Sequence, residues 1–146
     1  MVKDLKKIYI MILGSAGFGF LILGLAKGLK IMEPGAWRLP PFYASLLFIL
    51  SAITSIAAPV LIRTLFAHNV RSRKSVNHDE FFKFEKNILY MVLLTPWFAL
   101  AAYLCDFQKF YSAGIVLMAF YALYFYYPSE KRINFDKKIF RVRELE

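Results

Sequence analysis

Hydrophobic residues form four long runs along the chain, and the segments between these runs hold every charged residue except Arg63. A helix needs about 20 predominantly apolar residues to cross the hydrocarbon core of a bilayer. The fourth run is the shortest, but the aromatic residues just before it can lengthen it. The pattern therefore predicts an all-α fold, an integral membrane four-helix bundle with spans at residues 8–26, 42–66, 88–104 and 112–127.

Lysine and arginine are distributed unevenly between the two sides of this predicted bundle. Of the 19 Lys and Arg residues, fifteen lie on one side, in the N-terminal segment, near or in the loop 67–87, and in the tail 128–146. Short cytoplasmic loops carry an excess of these residues. We therefore expect both termini and the loop 67–87 in the cytoplasm, and we assign the protein to a plasma membrane, the bacterial inner membrane by default.

The third helix is predicted to begin well before the membrane. Asn77 followed three residues later by Glu80 resembles a capping box, which places the first helical residue at His78. Residues 81–88 then mix aromatic and charged side chains in an amphipathic pattern that suits an interface. From His78 to the end of the third span the helix has about 27 residues and a length of roughly 40 Å.

The short basic tail, residues 128–146, has two interpretations. Ile133 and Phe135 alternate with polar residues, which is typical of a short strand. Phe135, Ile139 and Val142 also fit one face of a helix. Both interpretations stay open, and an ordered tail requires contact with the loop, the membrane surface or a partner because an isolated hairpin is marginal in water.

The composition agrees with a membrane protein and excludes several other classes. Hydrophobic residues make up 59% of the 146 residues and charged residues 20%, which rules out a disordered tail and a coiled coil. The single cysteine, Cys105, cannot form an internal disulfide. The first run is too long for a signal peptide and has no cleavage motif. We therefore predict that residues 1–146 form one transmembrane domain.

The first span carries the most specific pattern in the chain, a stripe made almost entirely of glycine. Its spacing alternates between three and four residues, so the stripe follows one face of a helix. Small residues let two helix backbones approach closely in lipid. We expect a docked helix there, from this bundle or from another subunit, with a groove for a lipid tail as a third interpretation. The stripe consists of Gly14, Gly17, Leu21, Gly24 and Gly28.

The second and third spans carry small and hydroxyl residues that could face the first helix. Pro59 and Pro96 interrupt these spans, and each proline frees a carbonyl four residues earlier. Such kinks are common in transmembrane helices, although a hinge is the alternative. In a transporter, the hydroxyls would line the path of the solute. The residues concerned are Ser45, Ser51, Thr54, Ser55, Ala58, Thr95, Ala99 and Ala102.

Basic and tyrosine residues collect near the predicted cytoplasmic ends of the second and fourth spans. Tyrosines are common at membrane interfaces, and clusters of Lys and Arg there bind anionic headgroups. The bias that sets the topology produces the same residues, so the two interpretations compete. The possible lipid-headgroup residues are Arg63, Arg71, Arg73, Lys74, Tyr124, Tyr127 and Arg132.

Residue types that carry chemistry are few, and their spacing matches no zinc or di-metal pattern. No carboxylate lies inside a predicted span, which disfavours proton-coupled or charge-coupled transport. We therefore predict no catalytic residues, no metal, no cofactor and no nucleic-acid partner. The candidate metal ligands that fail this comparison are His68, His78, Asp79, Glu80 and Glu85.

These patterns favour a non-catalytic integral membrane subunit, or an assembly or scaffold protein, that docks other membrane helices through its glycine-rich first helix. Its partners would be other membrane subunits or a second copy, together with anionic lipids. Two alternatives stay open: a lipid-binding or lipid-acting protein at the cytoplasmic interface, and a small homo-oligomeric transporter or channel.

Overall fold

The computed structural model describes residues 1–31 and 39–143, and this part of the chain is helical apart from its connections. Parts of the predicted loop after the first span and the last three residues of the tail lie outside the described residues. One π-helical turn, Ile53–Ala57, continues α2 directly into α3. The helices are α1 (Val2–Gly28), α2 (Pro41–Ala52), α3 (Ala58–Val70), α4 (His78–Val92), α5 (Thr95–Leu104), α6 (Lys109–Phe125) and α7 (Glu130–Ile139).

Three helical segments are long and apolar enough to cross a membrane: Val2–Gly28, Pro41–Val70 and His78–Leu104. A fourth span results if α6 and α7, which are bent by 74° against each other, count as one broken span. The prediction of an all-α chain with several helices long and apolar enough to span a membrane is therefore confirmed. The second helix extends further than predicted, because Ala67 to Val70 continue α3 before the chain turns.

Helix α5 packs against α6, α1 and α2, and α2 also packs against α6. The buried residues form two clusters. The larger cluster lies towards α7 and contains aromatic residues such as Phe81, Phe84 and Phe140. The smaller one surrounds Ala99 and Ile115 in α5 and α6. Large side chains therefore fill one end of the bundle, whereas small ones allow close helix contact at the other.

Both prolines coincide with breaks in the helices. Pro59 follows the π-helical turn, and Pro96 follows a turn at residues 93–94 that divides the predicted third helix into α4 and α5. The two breaks lie side by side, because the hydroxyl oxygens of Thr54 and Thr95 are 3.3 Å apart in a hydrogen bond. The two breaks are thus joined inside the bundle by a hydrogen bond between side chains.

The start of α4 at His78 is confirmed, but the predicted capping box is wrong. The side chain of Asn77 makes no capping hydrogen bond. Glu80 instead binds the guanidinium of Arg73, with nitrogen–oxygen distances of 2.9 and 3.0 Å. The turn from α3 to α4 brings Arg73 next to Glu80, and this charged partner competes successfully with the backbone amide.

The tail forms a helix, so the strand interpretation is wrong for most of it. The Ser129 hydroxyl caps α7 by accepting a hydrogen bond from the Arg132 amide at 3.2 Å. After α7 the chain turns through Arg141, whose φ is +52°. Val142 then pairs with Val76 in one parallel bridge, which attaches the tail to the loop between α3 and α4.

Candidate functional site

Four charged side chains from three helices converge where α7 meets the bundle. Arg132 of α7 binds Glu85 of α4, with 2.7 Å between Nη2 and Oε2. Arg63 of α3 binds Asp136 of α7. The Nε of Arg132 also lies 3.8 Å from Oδ2 of Asp136. We call Arg63, Glu85, Arg132 and Asp136 the charge cluster; it connects the tail helix to two helices of the bundle.

The two carboxylates of the charge cluster are buried, with 2% of each side chain exposed. Glu85 Oε1 and Asp136 Oδ2 have no hydrogen-bond partner among the described residues. The arginines are better satisfied, because Arg132 also donates to the Tyr126 carbonyl oxygen at 2.6 Å. Removing two carboxylates from water costs several kcal/mol, which the paired arginines offset only while the geometry holds.

Glu85 is a member of the cluster whose pKa is shifted from its ordinary value. It precedes the apolar part of its helix and lies between Lys83 and Lys86. Burial raises the pKa of Glu85 to about 7, since desolvation outweighs the attraction of Arg132, and the negative charge of Asp136 raises it further. Glu85 therefore binds a proton more readily than an exposed glutamate does.

Aromatic rings surround the charge cluster. Phe66 of α3 stacks on Phe84 of α4 with ring centroids 4.1 Å apart. Phe140, at the end of α7, packs edge-on against both rings. The guanidinium of Arg63 lies 5.8 Å from the centre of the Phe140 ring. These contacts hold α7 across the end of the bundle. The charge cluster and the rings therefore have a structural role.

The structure distributes the seven predicted headgroup residues over different surroundings. Arg63 and Arg132 belong to the charge cluster, and Arg73 binds Glu80. The ring of Tyr127 packs edge-on against Tyr9 at 5.4 Å. The remaining three, Arg71, Lys74 and Tyr124, are exposed. The seven residues do not form one pocket, and lipid binding by them stays a prediction.

Apart from Gly17, which borders a groove between α1 and α6, the glycine stripe of α1 faces away from the described bundle. A Cβ atom added to Gly14, Gly17, Gly24 or Gly28 would have no described atom within 4 Å, and Leu21 is exposed. The close contact inside the bundle is made by Gly19, where an added Cβ would lie 2.8 Å from Leu100. The described part of the bundle therefore leaves the stripe open, and docking of a helix there stays a prediction.

Of the hydroxyls predicted to line a solute path, those of Thr54, Ser55 and Thr95 form hydrogen bonds within or between helices. The Ser51 hydroxyl is buried and has no hydrogen-bond partner among the described residues. Thr54 donates to the carbonyl oxygen of Leu50 at 3.0 Å or bonds to Thr95 at 3.3 Å, and Ser55 donates to that of Ala52 at 3.3 Å. Such bonds leave the hydroxyls with local partners.

Sequence reasoning missed the charge cluster. It grouped Glu85 with candidate metal ligands, and it gave no role to Asp136. Two signals were present: Arg132 and Asp136 are four residues apart, and Arg63 is the one charge in an apolar run. Among the described residues, no three His, Cys, Asp or Glu side chains come together as a metal site would need.

Comparisons place no known protein beside this fold and site. The chain matches no protein-family model, no curated protein and no solved structure. The functional argument therefore depends on the residues and contacts described above.

Proposed function

We propose that this protein is a non-catalytic membrane subunit or assembly protein, and that α1 docks a transmembrane helix of a partner through the glycine stripe. The observation that carries the proposal is the open face of the stripe. Four of its five positions lack a side chain, and none has a neighbouring atom where a Cβ would be.

The open stripe has a cost that only a partner offsets. Glycine within a helix is less favourable than alanine by up to about 1 kcal/mol in water. In lipid, helices associate by dispersion contacts between closely approaching backbones, and glycine permits that approach. The large side chains beside the stripe, such as Phe18 and Leu25, are also exposed, with about two thirds of their surface accessible. A partner helix on this face would bury the glycine stripe and the large side chains beside it.

The remainder of the proposed arrangement follows the charge distribution. Four helices span the plasma membrane, with both termini and the basic loop in the cytoplasm. The charge cluster then lies at the cytoplasmic boundary, beside the lysines and arginines that favour this side. In this orientation α7 is held against the cytoplasmic end, while the stripe stays available in the plane of the membrane.

Native mass spectrometry of the protein extracted gently from its own membrane tests the proposal. We expect a complex in which a second transmembrane chain is present at fixed stoichiometry. Gly24→Leu should reduce that association about tenfold or more, because the added side chain separates the two backbones by an ångström or more.

Ser15→Leu is the matched control, because Ser15 is exposed on the same helix but lies outside the stripe. It should leave the complex intact. A wild-type protein that is monodisperse and free of partners in its native membrane would refute the proposal, and so would equal loss of the complex in both variants.

A further inference from the structure

A groove runs between α1 and α6, with α5 as its floor. Its volume is about 330 Å³, and nearly all of its lining is apolar. A second cavity of about 240 Å³ shares Phe20, Ala99 and Val116 with it and continues to Asp106 and Lys109. We call the two together the α1–α6 groove. It has an apolar interior and one polar end.

The opposite end of the α1–α6 groove is closed by a tyrosine. The Tyr9 hydroxyl of α1 donates a hydrogen bond to the Leu123 carbonyl oxygen of α6 at 3.1 Å. The Tyr9 ring also packs against Tyr127. These contacts join α1 to α6 just beyond Leu123, which lines the groove. A molecule in the groove would therefore have its polar part at the end that carries Lys109.

The groove is large enough for a single acyl chain but too small for a helix. From Leu123 to Lys109, α6 rises roughly 21 Å at 1.5 Å per residue, and one leaflet contributes about 15 Å of hydrocarbon. A helix of that length and about 10 Å in diameter occupies on the order of 1,500 Å³, more than twice the volume of the two cavities together. Small residues such as Ala99 and Ala119 form the narrow floor and wall.

The polar end carries charges that complement a phosphate. Lys109 lines it, and Lys27 reaches the same rim, where its Nζ donates to the Tyr103 carbonyl oxygen at 2.6 Å and lies 4.1 Å from the centre of the Tyr103 ring. Among the described residues, Asp106 is the one carboxylate in the lining. Lys27, Lys109 and Asp106 together carry a net positive charge of about one, beside an apolar slot.

We propose that the α1–α6 groove binds one acyl chain of an anionic phospholipid, with the lipid phosphate at Lys27 and Lys109. This site differs from the glycine stripe, with which it shares only Gly17. It goes beyond helix docking, and either proposal can stand without the other.

The test adds dioleoyl phosphatidylglycerol and dioleoyl phosphatidylcholine, in equal amounts, to the delipidated full chain in mild detergent. Native mass spectrometry then counts the lipids retained per chain. We expect one retained lipid, with phosphatidylglycerol about fivefold preferred over phosphatidylcholine, as about 1 kcal/mol from one interfacial cation implies. Lys27→Gln combined with Lys109→Gln should remove the preference while the acyl chain still binds.

Val116→Trp should fill the groove and abolish retention, because Val116 lines both cavities and its side chain is partly exposed. Leu117→Trp is the matched control, since Leu117 is the next residue on α6 but is outside the lining and two thirds exposed. Equal retention in the two variants would overturn the proposal and indicate ordinary boundary lipid. Absence of a retained lipid on the wild type, or a bound peptide in its place, would overturn it as well.

Discussion

The α7 end of the bundle and the glycine stripe of α1 use their residues in opposite ways. At the α7 end, large aromatic rings and four charges from three helices pack together, and both carboxylates are buried. On the stripe, a Cβ atom added to any of the four glycines would have no described atom within 4 Å, and Leu21 is exposed. One region stabilises the fold of the chain itself, whereas the other presents a surface that the described fold does not use.

The residues that stabilise the fold of this protein and those proposed to recognise a partner therefore lie in different regions. A buried charge cluster at the end of the bundle is tolerated only if each charge has a partner and the surrounding packing holds the geometry. In lipid, apolar side chains have no preference for each other over acyl chains, so recognition depends on backbone approach.

Arg132→Ala should destabilise the protein by about 3–5 kcal/mol, because it leaves the buried carboxylates of Glu85 and Asp136 without their shared partner. Thermal unfolding in detergent micelles measures the change. Lys138→Ala, at an exposed position of the same helix, should have little effect. Similar unfolding midpoints for the two variants would contradict a stabilising role for the charge cluster.

Stability should fall as the pH rises from about 4.5 to about 7. The folded pKa of Glu85 is about 7 and its ordinary value is 4.5, so the folded state binds more protons in this window. The groups that face it are Arg132, Asp136 and Arg63. Its contribution is fully present below 4.5 and is lost above 7, a change of up to about 3 kcal/mol.

The unfolding midpoint as a function of pH checks this sign, with Glu85→Gln as the comparison. The amide cannot titrate, so the variant should lose most of the slope between pH 4.5 and 7. A variant that keeps the slope of the wild type would assign the titration to another group.

Gly19→Leu and Gly24→Leu should separate the two faces of α1. Gly19 packs on Leu100, so a larger residue forces the helices apart and should cost about 1–3 kcal/mol. Gly24 has open space around it, and its substitution should leave the unfolding midpoint of the isolated chain nearly unchanged. A comparable loss of stability in both variants would show that the stripe is packed inside the bundle after all.

Thr95→Val should have the smallest effect, about 0.6 kcal/mol, because it removes one hydrogen bond between helices at the paired breaks. Thr64→Val is the control, since Thr64 is exposed and bonds only to the Val60 carbonyl of its own helix. The change in stability of each variant is measured as a shift of the unfolding midpoint. A destabilisation of several kcal/mol by Thr95→Val would make the paired breaks a major element of stability.

Much of the helical pattern was predictable because lipid permits few backbone solutions. Apolar runs near 20 residues predict helices, since every backbone amide and carbonyl must be satisfied within the segment. The start of α4 was also predictable, although the partner of Glu80 was not. The helical form of the tail was undecided because its apolar positions suit both periodicities, and the cap by Ser129 then favours the helix.

By itself, the sequence determined the helical class of the chain, its apolar spans and the glycine stripe, since these are properties of residues close together along the chain. The open face of α1 and the ion pairs of the charge cluster became apparent only in the tertiary structure. Arg63, Glu85 and Asp136 are far apart in sequence and come together because α7 folds back at 74° to α6. Interactions of this kind depend on helix packing, which no local pattern encodes.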